Sequence, residues 1–78
     1  AMIDVGNVVE VDLHTGIGPF LGIVLDLNDT MCWKKDVWYK VQPLSKKDMP
    51  GIFWYRGNKV EKIADTPQFL SVDGGQDG

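Results

Sequence analysis

The chain has 78 residues, 44% of them hydrophobic, and carries 8 basic against 11 acidic side chains for a net charge of −3. That is one domain, too apolar for intrinsic disorder and too small to enclose a large substrate within a single subunit. Cys32 is the only cysteine, which excludes an intrachain disulfide framework, and no run approaches the ~20 apolar residues of a membrane-spanning helix.

Asn7 to Leu13 alternates, with Val9, Val11 and Leu13 on one face and Val8, Glu10 and Asp12 on the other, which predicts a half-buried strand. Gly16-Ile17-Gly18-Pro19 forbids a regular element after it. A second strand is expected from Phe20 to Leu27, where Ile23, Leu25 and Leu27 alternate with Val24 and Asp26. Gly22 inside it predicts a bulge, a bend or a close backbone approach. Asn28 to Asp36 reads as a loop, and Val37-Trp38-Tyr39-Lys40-Val41 as a third strand, ended or confined to an edge by Pro43. The Pro50-Gly51 turn leads into a fourth strand, Ile52 to Arg56. Gly57-Asn58 breaks that strand with a 3₁₀ turn around Gly57–Lys59, and Val60 to Ile63 forms a short fifth. No apolar pattern of helical spacing persists over three turns, so no long helix is expected. Beyond Ile63 the composition shifts towards Gly, Asp and Pro. The expected division is a β-domain over residues 1–63 and an extended or disordered tail over 64–78, with Phe69, Leu70 and Val72 able to dock on the domain or on a neighbouring subunit.

The charge is unevenly spread. Asp4, Glu10, Asp12, Asp26 and Asp29 stand in the first 33 residues without a single Lys or Arg. All 8 basic residues fall between Lys34 and Lys62, against Asp36, Asp48 and Glu61. Cross-strand pairing can cancel the two halves, or a basic patch is left to meet an acidic partner. The negative total disfavours nonspecific nucleic-acid binding, which draws on a basic face.

No catalytic constellation emerges. His14 stands alone, without a positioned carboxylate or nucleophile, and a solvated loop histidine accounts for it. Gly16 to Pro19 lacks the Lys-Ser/Thr of a phosphate loop. Cys32 has cations beside it but no base or resolving cysteine, and with His14 it falls short of a zinc ligand set. Neither a metal nor a cofactor is expected. The aromatics are the strongest signal. Trp38 shares a face with Lys40, opposite Val37, Tyr39 and Val41. On the fourth strand either Phe53 and Tyr55 or Ile52 and Trp54 face outward. The candidate binding residues are therefore Trp33, Lys34, Lys35, Trp38, Lys40, Phe53, Trp54, Tyr55 and Arg56. The competing reading gives these large side chains to the closure of a small core.

Five short strands with a glycine-bearing loop after the first and a one-turn break before the last resemble the SH3-like barrel. Gly6-Asn7-Val8-Val9, Gly22-Ile23-Val24, Tyr39-Lys40-Val41, Trp54 and Val60-Glu61-Lys62-Ile63 resemble, in order and spacing, a group of very small phage-type barrel proteins. That resemblance implies a small five-stranded barrel of viral or mobile-element origin and no activity. Gly22-Ile23-Val24 also looks like the Gly-x-Val strand of KOW-type barrels, which implies binding to nucleic acid or polymerase; the acidic balance departs from that group. The type II dihydrofolate reductases are similar in size and use a Val-Gln-Ile-Tyr strand in a four-subunit pore. Here Val41-Gln42 runs into Pro43-Leu44, which breaks that motif. The expectation is a cytoplasmic, non-enzymatic module that binds a protein partner or a second copy of itself. A nucleic-acid-binding barrel is the alternative and an oligomeric pore enzyme the third reading. Cytoplasmic location is expected because a secreted domain of this size relies on disulfides and the chain opens on no basic-plus-apolar leader.

Overall fold

The computed structural model describes residues 2–29, 37–45, 47 and 51–67. They form β1 (Val8–Val11), β2 (Phe20–Asn28), β3 (Trp38–Pro43), β4 (Phe53–Arg56) and β5 (Val60–Ala64), with a 3₁₀ turn at Gly57–Lys59 between β4 and β5. The strands make one antiparallel sheet in the order β4-β3-β2-β1-β5. The sheet is open, with β4 and β5 as its edges. All five expected strands and the 3₁₀ turn are present, each strand shifted by a residue or two at its ends. Pro43 closes β3, where its missing N–H costs no ladder bond beyond the strand end. No helix among the described residues is long and apolar enough to cross a membrane.

β2 sits at the centre and carries the curvature. Val24 pairs with Val41 and Asp26 with Lys40, so Leu25 is an extra residue without a partner on β3. The bulge reverses the pleat. Phe20, Gly22 and Val24 face the core before it, and Leu27 packs against the core after it. The apparent Ile23-Leu25-Leu27 face is thus cut in two, and Leu25 is left 40% exposed. Gly22 serves the close approach of the two central strands: a Cβ there would collide with the Val41 side chain and stand 2.7 Å from the Gln42 carbonyl oxygen.

The core gathers Val9, Val11, Phe20, Val24, Tyr39, Val41 and Tyr55, with Ile3, Leu13, Leu27, Val37 and Val60 packed at its margin. Burying each of the larger side chains contributes about 1.5–3 kcal/mol against exposure. The Phe20 and Tyr55 rings meet edge-on at 5.8 Å, tying β2 to β4 across the sheet. Val8, expected on the polar face, is fully buried as well. It lies in the interior of the sheet, paired with Ile23 on one side and Ala64 on the other.

β5 runs one residue past Ile63, and the chain is held beyond it. The Asn7 side chain, buried, donates Nδ2–H to the Asp65 carbonyl at 3.0 Å and accepts the Asp4 N–H at 2.7 Å. Both of its polar ends are satisfied, which is what burying an amide requires. Of the expected tail, residues 68–78 lie outside the described residues.

Candidate functional site

The register of β3 and β4 decides which aromatics meet. Trp38 pairs with Arg56 and Lys40 with Trp54, while Tyr39 pairs with Tyr55 and Val41 with Phe53. Directly opposed residues share a face, so Trp38, Lys40, Trp54 and Arg56 form one cluster on the outside of the sheet. β2 continues its rows, with Asn28 beside Trp38 and Asp26 beside Lys40. All four clustered side chains are half-buried rather than fully exposed. The Arg56 guanidinium lies over the Trp38 ring, 5.6 Å from its centroid, within range for a cation–π contact.

Of the two arrangements open for β4, Trp54 outward is the one observed. Tyr55 is 7% exposed and belongs to the core, because its cross-strand partner Tyr39 already faces inward. Phe53 shares Tyr55's side of the strand but sits beyond the core's margin, 49% exposed and apart from the tryptophan cluster. Trp33, Lys34 and Lys35 lie outside the described residues.

Local backbone constraints hold the cluster in place. The Gly57 N–H donates to the Val37 carbonyl at 2.8 Å, which fixes the end of β4 against the start of β3 and sets Arg56 beside Trp38. Glycine suits that approach, since a Cβ at position 57 would stand a tight 3.0 Å from the Val37 oxygen. The 3₁₀ turn then carries Lys59 back towards β1, where its carbonyl accepts the Asp12 N–H at 2.9 Å.

Together these elements surround a depression of about 440 Å³ lined by Leu13, Trp38, Trp54, Tyr55, Arg56 and Lys59. Leu13 and Lys59 were not among the sequence candidates. Lys59 is legible in hindsight as the basic residue of the expected 3₁₀ turn; Leu13 reaches the site only through tertiary folding. Two polar groups of the lining residues, the Trp38 indole Nε1–H and the Tyr55 hydroxyl, are buried and have no hydrogen-bond partner among the described residues. Burial pushes the Tyr55 hydroxyl above its ordinary pKa of 10.0, so it is protonated and able to donate at neutral pH.

The remaining sequence candidates stay apart from this cluster. His14 is an exposed loop residue with φ of 58°, held by its own N–H donating to Asp12 Oδ1 at 2.9 Å. Its ring Nδ1 lies 3.6 Å from the same carboxylate. No group of three or more metal-ligating side chains occurs among the described residues. Residues 15–19 form an exposed turn in which the Ile17 N–H donates to Thr15 Oγ1. Cys32 lies outside the described residues.

No protein-family model matches the chain, and neither the curated proteins nor the solved structures contain a match to it.

Proposed function

We propose that this chain is a non-enzymatic protein-interaction module with the architecture of an SH3-like barrel, and that it docks its partner on the outer face of β3 and β4. The barrel reading is supported by the strand order, by a long β2 kinked at Leu25 and shared by both halves of the sheet, and by the 3₁₀ turn before the last strand. The functional reading rests on one observation: Trp38, Trp54 and Arg56 converge around a depression of about 440 Å³ instead of entering the core. Tryptophan and arginine are the side chains that most often carry binding energy at protein interfaces, and they do so when set in a partly desolvated pocket.

The test is titration calorimetry of the chain with purified products of its neighbouring genes, and with itself, comparing the unmodified protein with Trp54→Ala. Trp54 lies outside the core cluster, so the variant's circular dichroism spectrum is expected to be unchanged. An interface built on this face loses roughly 30-fold in affinity on that substitution. A partner that binds Trp54→Ala and Trp38→Ala as tightly as the parent docks elsewhere, and the reading fails.

A further inference from the structure

Taking that docking face as its premise, we infer that the partner presents an extended acidic segment, which lies along the free edge of β4 and sets a carboxylate in the depression beside Trp38, Tyr55, Arg56 and Lys59. The first ground is the chemistry of the lining. An indole N–H, a guanidinium and an ammonium can only donate hydrogen bonds, and a protonated tyrosine hydroxyl donates readily. No Asp or Glu is among the described residues that line the depression. A ligand complementary to such a set supplies acceptor oxygens and negative charge.

The second ground is unmet demand. Trp38 Nε1 and the Tyr55 hydroxyl are both buried without a partner among the described residues, and Tyr55 is 7% exposed. Buried donors left unpaired are costly and uncommon in folded proteins, and both of these belong to residues that line one depression.

The third ground is position. Trp54, Tyr55 and Arg56 are consecutive on one strand, and all three line the depression. β3 occupies one side of β4, and among the described residues no strand pairs with the other. An edge strand offers unpaired backbone N–H and C=O groups, which an added peptide strand can use and a nucleic acid cannot. The net charge of −3 also repels a polyanion at long range while leaving a short acidic peptide able to reach a local cationic site.

The experiment is selection of random octapeptides on the immobilised full chain, followed by affinity measurement of the enriched sequence and its amide isostere by tryptophan fluorescence. The expected outcome is enrichment of Asp or Glu beside β-branched or apolar residues. Replacing that acid with Asn or Gln then weakens binding at least tenfold. Arg56→Gln and Tyr55→Phe each weaken it severalfold, whereas Glu61→Gln on the opposite edge does not. If the enriched peptides lack an acid, or the amide isostere binds equally while Trp54→Ala still abolishes binding, the docking face stands and the acidic-segment inference falls. If an oligonucleotide competes the peptide away at low salt, or no peptide is enriched, both are overturned.

Discussion

The two edges of the sheet are built on different plans. β5 reads Val60-Glu61-Lys62-Ile63-Ala64, with an acid and a base in mid-strand, and Lys62 forms an ion pair with Asp65. Its pairing with β1 is also irregular: Val9 opposes Lys62 but Val8 opposes Ala64, so Ile63 is bulged out of the ladder. β4 reads Phe53-Trp54-Tyr55-Arg56, has a single charge at its end, and pairs with β3 without a break. Charges and bulges are the devices by which proteins stop open edges from recruiting another strand. One edge has both. The other has no bulge and a single charge at its end, and Trp54, Tyr55 and Arg56 on it line the depression. The same fold thus closes one flank and leaves the other available, which is the pattern expected when the available flank is used.

The largest expected effect comes from breaking the support under β4. β3 presents that strand, and β3 is held against β2 by the close approach at Gly22. Gly22→Ala places a Cβ against the Val41 side chain and the Gln42 carbonyl, two groups fixed by the sheet. We expect a loss of about 3 kcal/mol, at the upper end for overpacking, measured by urea denaturation. In a domain this small that is most of the total stability, so peptide binding at β4 should disappear with the fold. A loss below about 1 kcal/mol would show that the two central strands can separate without harm.

How much of this was legible beforehand depends on the range of the interaction concerned. Turn chemistry is local, so Gly57-Asn58 announced the 3₁₀ turn and Pro43 the end of β3. Alternation is local too, and it correctly placed Trp38 with Lys40. It failed at Leu25, because a bulge is a property of a strand pair, and only the register of Val24 on Val41 and Asp26 on Lys40 reveals the extra residue. The same limit left β4 with two possible outward faces. Tyr55 turned inward through its pairing with Tyr39 and its edge-on contact with Phe20, neither of which its own neighbours in the chain specify. Leu13 and Lys59 joined the site by folding alone.

The contrast between the edges can be inverted. Glu61→Val with Lys62→Val removes the charges that guard β5, while the bulge at Ile63 remains. The prediction is concentration-dependent association through β5, with a midpoint shifted by roughly tenfold, equivalent to about 1–2 kcal/mol from the new cross-strand pairs. Sedimentation velocity would measure it. Trp54→Lys at the other edge should have the opposite effect and suppress any association of the parent chain. If the double valine variant stays monomeric at all concentrations, the bulge alone guards β5 and the charges are incidental.

A smaller effect is expected at alkaline pH. Burial raises the pKa of Tyr55, and burial followed by the charge of Asp4 raises that of Tyr39, both from an ordinary value of 10.0. A hydroxyl whose folded pKa is raised binds its proton more tightly in the folded chain than in the unfolded one. Its stabilising contribution is therefore intact below pH 10.0 and is lost as pH rises through the higher folded value. Unfolding midpoints in urea should fall on the alkaline side of that point, and Tyr55→Phe should shrink the fall. A flat profile would mean that both hydroxyls reach solvent in the folded chain.

The smallest stability change is the most informative about the open edge. Tyr55→Phe keeps the ring, its packing on Phe20 and its place in the core, and deletes only a buried hydroxyl that has no hydrogen-bond partner among the described residues. Removing an unsatisfied polar atom spares its desolvation cost, so the variant should be as stable as the parent or more stable by up to about 1 kcal/mol. If the hydroxyl serves the partner's acceptor oxygen, the same substitution weakens binding severalfold. Stability and affinity then move in opposite directions, the signature of a group retained for recognition at some cost to the fold. A hydroxyl that merely bonds elsewhere in the chain would behave differently: its removal would lower the urea midpoint and leave the affinity of the acidic peptide where it was. Measuring both quantities on one variant separates the two cases, because no purely structural role for Tyr55 raises stability and lowers binding together.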